Sequence, residues 1–214
     1  MRITIVIVDD HAIMREGLSQ VLAQQPDFSI VGTCGDGRQS LKLIAELRPT
    51  VVILDISMPG LNGIEVTRQV REEWPECGVL ILSMHASSEH VFQAIEAGAR
   101  AYLKKESAAR DIVEAVRAVS AGRRYLGPGI AEVVAEHLGT RKPGENPLQS
   151  LSRREREILQ LVAEGHSSAE IGALLFLSPK TVDSYRSRLM GKLGLADVPS
   201  LVKFAIRQGV IPLE

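Results

Sequence analysis

Apolar residues in the first half of the chain fall into short runs separated by longer stretches of helical period. The runs are ITIVIV (3–8), FSIVGTC (28–34), TVVILD (50–55), GVLILS (78–83) and AYLKK (101–105). The central runs are β-branched and apolar on both faces, as parallel strands covered by helices on each side must be. Between them, sets such as Ile13, Leu18, Val21 and Leu22, or Leu41, Leu43, Ile44 and Leu47, repeat with the spacing of one helix face. Five strand–helix alternations call for right-handed crossovers and a doubly wound α/β layer, with five parallel strands in the order 2-1-3-4-5. That layer is expected to occupy residues 1–122. A short apolar helix (130–138) and the stretch GTRKPGENPLQS (139–150) follow. The latter has prolines, glycines and no apolar period, so 123–149 reads as a linker carrying a short helix. From 150 to 214 no β-rich run occurs, and the pattern predicts an all-helical domain.

Start and stop signals place the helices of that second domain. Ser152 followed three residues later by Glu155 is a capping box, and Gly165 stands where glycine closes a helix. Ser167 or Ser168 opens the next helix, and Ser178 with Pro179 the third. In the third, Val182, Leu189 and Leu193 form an apolar stripe with Tyr185 near it. The opposite side shows Lys180, Asp183, Ser184, Ser187, Arg188 and Lys192.

Composition narrows the class. The 214 residues are 45% hydrophobic and 24% charged, as in an ordinary globular protein. No apolar stretch approaches the roughly 18–20 residues that span a bilayer, and the apolar start runs straight into acids instead of a cleavage site. No membrane association is therefore expected. Two distant cysteines, Cys34 and Cys77, fit a reduced cytoplasmic setting and exclude a cysteine-based zinc framework. The net charge of −1 is uneven: nine Lys/Arg against seven Asp/Glu from Leu148 onward give +2, leaving −3 for residues 1–147. Lys180, Arg186, Arg188 and Lys192 stand close together, which suggests that one region binds a polyanion. A solvated basic helix in any small bundle explains the same charges.

The candidate chemistry lies at strand ends, where ligands bind in open parallel sheets. The first strand ends in Asp9-Asp10, the third in Asp55, the fourth in Ser83 and the fifth in Lys105. Each alone has an ordinary explanation: an aspartate as a helix cap, a solvated serine, a surface lysine. Together they bring three carboxylates to one rim, where they repel unless a cation joins them. Oxygen ligands suit a hard ion, Mg²⁺ or Mn²⁺, and make His11 a first-turn helix residue sooner than a ligand. A carboxylate nucleophile, a divalent ion, a hydroxyl and a fixed ammonium are the parts that phosphoryl transfer requires.

The motifs VDDH (Asp9, Asp10), LDISMPG (Asp55), LSMHA (Ser83) and GARAYLKKE (Lys105) resemble the receiver domain of bacterial two-component response regulators. The gaps fit as well: forty-five residues from Asp10 to Asp55, twenty-eight to Ser83 and twenty-two to Lys105. Over residues 150–212, LSRREREIL…G…EI…L…SPKTV…R…KL resembles the LuxR-type helix-turn-helix of the NarL/FixJ subfamily. The resemblance implies a flavodoxin-like receiver followed by an all-α DNA-binding domain. It casts Asp55 as phosphoacceptor for a sensor histidine kinase. Mg²⁺, with Mn²⁺ as a substitute, would be held by Asp10, Asp55 and the Ser57 carbonyl, and by Asp9 through water. It also makes Lys105 and Ser83 partners of the phosphoryl oxygens and Tyr102 an aromatic switch. On the helical side, Lys180, Thr181, Tyr185, Arg188 and Lys192 would touch the backbone of double-stranded DNA. Asp183, Ser184 and Ser187 would read base edges, Asp183 accepting from a cytosine amino group or from a neighbouring side chain. Homodimerisation on phosphorylation or DNA binding, and contact with RNA polymerase, are further implied partnerships.

Departures from the family pattern are few. Ser83 replaces threonine and Glu106 stands where many receivers have proline, leaving a cis Lys105–Glu106 bond as one expectation. Ser168-Ala169 replaces Asn-Lys, Gly172 replaces alanine and Tyr185 replaces histidine. The expected role is a phosphorylation-switched transcription factor, not an enzyme. A dehalogenase-type phosphatase also uses an aspartate nucleophile with Mg²⁺, but needs D-x-D on the first strand, where this chain has adjacent acids. Dinucleotide binding lacks its G-x-G-x-x-G.

Overall fold

The computed structural model describes residues 2–84, 87–140 and 146–212, with the side chains of 136–140 excepted. His85 and Ala86 of the LSMHA motif, and 141–145 of the expected linker, lie outside the described residues. The chain divides into two compact units, Met1–Thr140 and Arg141–Glu214.

In the first unit, strands β1 (Ile3–Val8), β2 (Phe28–Cys34), β3 (Val51–Leu54), β4 (Gly78–Ser83) and β5 (Ala101–Lys104) alternate with helices α1 (Ala12–Ala23), α2 (Gly37–Leu47), α3 (Gly63–Glu73), α4 (Ser88–Ala97) and α5 (Ala109–Ser120). All strand pairs are parallel, with β1 between β2 and β3. Alternation along each strand sends side chains to two cores. Val6, Val8, Val52, Leu54, Val79 and Ile81 pack with Ile44, Ile64, Val70 and Val91 on one face. Ile5, Ile7, Ile53, Leu80 and Leu82 pack with Leu22, Ile112, Val116 and Val119 on the other. Both faces are dry, so the runs are apolar throughout.

The expected five-stranded order 2-1-3-4-5 is extended by a sixth strand. β6 (Tyr125–Leu126) pairs parallel to β5 at the sheet edge. Tyr125 N donates to Arg100 O at 2.9 Å and Gly127 N to Tyr102 O at 2.8 Å. Two residues are too few to show a period of two, which is why the pattern gave no strand there. The chain then enters α6 (Ile130–Thr140), which packs against α4. Ile130 is fully buried, with Leu126, Val133 and Val134 against the same core. These residues therefore belong to the first compact unit. No described peptide bond is cis, Lys105–Glu106 included.

The described part of the second unit has a 3₁₀ turn (Pro147–Ser150) followed by α7 (Arg153–Ala163), α8 (Ser168–Leu175), α9 (Pro179–Leu193) and α10 (Val198–Arg207). Its core joins Ile158, Leu161, Ile171, Leu175, Val182, Leu189 and Leu201. Ser152 and Ser167 both head full capping boxes, with Glu155 and Glu170. Ser178 caps α9, with Pro179 in its first turn. Among the described residues no helix is long and apolar enough to cross a membrane.

Candidate functional site

The ends of β1, β3 and β5 meet at one rim because these strands lie side by side or one apart in the sheet. Asp9 and Asp55 are buried, at 2% and 3% exposed, and the Lys105 side chain is only 3% exposed. The Lys105 ammonium lies 2.7 Å from Asp9 Oδ2 and 2.7 Å from Asp55 Oδ2. Burial works to lower the Lys105 pKa, but its bonds to Asp55 and Asp9 outweigh that and hold it raised. The lysine therefore remains an ammonium. Burial pushes the Asp55 carboxyl up, against the pull of Lys105 and of the Ser57 amide, which donates to it. A carboxylate poorly solvated by water and held by one fixed cation is a competent nucleophile.

Asp10 is more open, with a side chain 30% exposed, and faces His11 Nδ1 at 2.8 Å. Asp9 Oδ1 accepts from the His11 amide at 2.9 Å and lies 3.3 Å from His11 Nδ1. The Nδ1 side of the His11 ring is thus turned towards both carboxylates. His11 is the N-cap of α1 without a side-chain capping bond, so neither aspartate serves as the cap that strand-end acids often provide. Potential ligand atoms of Asp9, Asp10, His11 and Asp55 lie within 4.8 Å of one another. Three carboxylates and one ammonium leave a formal charge of −2, which suits a hard divalent cation bound through oxygen. The residues present fit such an ion.

Tyr102 is fully buried on β5, and its hydroxyl is hydrogen-bonded to that of Ser83, itself fully buried at the end of β4. Burial raises the Tyr102 pKa strongly. The two residues expected to form a switch are thus joined, with the ring inward. Two supports of the rim carry no motif signal. Arg15, one turn into α1, donates to the backbone carbonyl of Asp9. Gly63 at the start of α3 presses on β3: a Cβ there would stand 2.0 Å from the Asp55 carbonyl oxygen. Spacing alone reveals neither, since both act on backbone atoms.

In the second unit, α8 and α9 form a helix-turn-helix. The turn is tight: a Cβ on Gly172 would lie 2.6 Å from Leu177 O, and Leu177 N donates to Gly172 O at 2.9 Å. Phe176 ends α8 at φ +56°, with its side chain 96% exposed. Along α9 the exposed residues include Lys180, Asp183, Ser184, Ser187, Arg188 and Lys192, while Thr181 and Tyr185 are half-buried. The Arg188 guanidinium stacks over the Tyr185 ring at 4.8 Å. Asp183 Oδ1 accepts from Ser168 Oγ at 2.7 Å and from Arg186 at 3.0 Å. This ties the first turn of α8 to the outer face of α9.

Lys192, expected to touch the DNA backbone, also has partners inside the unit. Its ammonium bonds Glu155 Oε2 at 2.7 Å and the Ser150 carbonyl at 3.2 Å. Those partners belong to α7 and the turn before it, so the charge is engaged within the unit. A helical wheel places Lys192 outward but cannot show that a buried carboxylate from another helix lies beneath it.

An acid-lined parallel sheet with a buried lysine, followed by a helix-turn-helix, defines a receiver-type switch coupled to a DNA-binding module. Residues 5–117 match the response regulator receiver domain, and residues 149–205 match the bacterial regulatory proteins of the luxR family. The chain belongs to the NarL/FixJ family of response regulators. It is similar to the transcriptional regulatory protein LiaR of Bacillus subtilis (strain 168), with 37% identity over 98% of this chain and 99% of that protein. Among solved structures it is similar to the response regulator ChrA of a heme-sensing two-component system. That match has 32% identity, a TM-score of 0.55, and covers 98% of this chain and 99% of that one. A structure of two RcsB dimers bound to two parallel DNAs matches with 25% identity and a TM-score of 0.60, over 95% and 98% of the respective chains. The protein is accordingly a phosphorylation-switched, DNA-binding transcription regulator.

Proposed function

We propose that Asp55 is the phosphoacceptor and that a cytoplasmic sensor histidine kinase supplies the phosphoryl group. An Asp55 oxygen attacks phosphorus, the P–N bond to the kinase imidazole breaks, and an aspartyl phosphate remains. The observation that carries this reading is the Lys105 ammonium 2.7 Å from both Asp9 and Asp55, at a rim of formal charge −2. Lys105 is then positioned to pair with a phosphoryl oxygen, and the Ser83 hydroxyl to leave Tyr102 for another. Asp9, Asp10, Asp55 and the Ser57 carbonyl would hold Mg²⁺, or Mn²⁺ in its place. When bound, the ion neutralises charge on the carboxylates and the phosphoryl oxygens. The Ser83–Tyr102 bond gives the rim a two-state element for the new charge to bias.

On the DNA side, Lys180, Thr181, Tyr185 and Arg188 contact phosphates, while Ser184 and Ser187 approach base edges. Asp183 acts through Ser168 and Arg186, with which it is already bonded. Pairing of two copies on DNA is supported by the RcsB dimers in the matching complex, and contact with RNA polymerase belongs to the same proposal. The test is phosphorylation by acetyl phosphate with Mg²⁺. The native chain takes up one phosphoryl group and Asp55→Asn takes up none. Persistent Mg²⁺-dependent labelling of Asp55→Asn overturns the assignment.

A further inference from the structure

Away from the acidic rim, near the amino ends of β4 and β5, the first unit has a partly open cavity of about 260 Å³. Its polar lining is cationic: Arg71 from α3, Arg100 just before β5, and Arg124 just before β6. Its apolar lining includes Cys77, Val79 and Ile95. Arg71 and Arg124 are exposed and Arg100 half-buried, and three like charges on one concavity give it a positive field that favours an anion. Among the described residues, no carboxylate pairs with any of them. Arg100 donates to the carbonyls of Pro75 at 2.9 Å and Glu76 at 3.5 Å. Arg71 donates to the Glu96 carbonyl, at 3.4 Å. The nearby Glu76 carboxylate lies 3.8 Å from Arg48 instead. Backbone carbonyls orient these guanidinium groups without neutralising them.

We propose that this cavity binds a small phosphate-bearing anion, held by Arg71, Arg100 and Arg124. Guanidinium forks match the oxygens of phosphate in pairs, and three of them suit a multiply charged group better than a single carboxylate. A volume of about 260 Å³ admits a compact phosphorylated molecule. The three arginines come from three separate parts of the fold, so an anion bridging them would tie the end of α3 to the approaches of β5 and β6. The site is separate from the phosphoacceptor rim and does not depend on its chemistry.

The test is titration of the full chain with inorganic diphosphate and with inorganic phosphate at physiological ionic strength. Amide NMR shifts are followed, with equal concentrations of chloride and acetate as controls. The expected result is saturable shifts at Val79, Ala99, Arg100 and Gly122 with diphosphate, stronger than with phosphate and absent with the controls. Those shifts persist in Asp55→Asn, which separates them from any binding at the acidic rim. Arg124→Gln, on an exposed side chain, keeps the native spectrum and weakens binding about tenfold, as does Arg71→Gln. No saturable shift up to 10 mM (on the order of the weakest specific binding), the same response to every anion, or undiminished binding in both variants would each overturn the proposal.

Discussion

Glu155 lies beside the last turn of α9 with a side chain only 4% exposed, held by the Lys192 ammonium at 2.7 Å and by the Ser152 amide at 2.8 Å. Burial acts to raise its pKa, but the bonds from Lys192 and Ser152 outweigh that and leave it lowered. A group with a depressed folded pKa contributes stability that is present above its unfolded pKa and lost as pH falls through the folded one. Lys192→Ala is therefore expected to destabilise the second unit by about 1–2 kcal/mol at neutral pH, discounted because the lysine is partly exposed. The deficit narrows below the ordinary glutamate range, where Glu155 is protonated in either protein. Urea unfolding at neutral and acidic pH checks both statements; an equal deficit at both pH values contradicts the role given to Glu155. Among the described residues Lys180 has no such internal partner, so the two lysines separate by salt dependence. Lys180→Ala should reduce the slope of log affinity against log salt by about 1. Lys192→Ala should leave that slope nearly unchanged while lowering stability. Anisotropy titrations over a range of salt concentrations distinguish these outcomes.

At the level of elements, the supports for the rim and for the helix-turn-helix are backbone approaches, which is why they were the least legible in the sequence. Strand ends and caps were readable, because apolar runs, Asp9, Asp10, Asp55, Ser152 and Ser178 each mark a local event. β6 was not, since two residues carry no period, and neither was the lodging of Ile130 in the first core. Lys105 was legible as a strand-end lysine, whereas its bonds to both Asp9 and Asp55 depend on strand order. Gly63 looks like any helix-start glycine until the Asp55 carbonyl is found against it. Gly63→Ala must push α3 away from β3 or shift Asp55, so it is expected to slow acetyl phosphate labelling about tenfold or more with the carboxylate intact. A labelling rate equal to the native one would show that the β3–α3 junction has slack. In the second unit, Gly172→Val overpacks the α8–α9 turn against Leu177 and should cost about 1–3 kcal/mol, read as a lowered urea midpoint.

For the molecule as a whole, the charge division limits how phosphorylation can act. Residues 1–147 carry −3 and the remainder +2. A phosphoryl group adds about −1.5 to −2 to the more acidic part. Electrostatics alone would then weaken attraction to DNA, so any gain in affinity has to come from pairing of copies or from a change in the access of α9. Pairing makes a distinct prediction. On a duplex selected by the protein itself and carrying two half-sites, the phosphorylated chain should bind at least about tenfold tighter than the unphosphorylated one, with a steeper isotherm. Two helix-turn-helix units then displace counterions together, so the salt slope of the complex should approach twice that of one unit. Cutting the duplex to one half-site should remove the gain, and Asp55→Asn should show none on either duplex. Equal tightening on one half-site and on two would place the effect of phosphorylation within a single copy, leaving access to α9 as the controlled step.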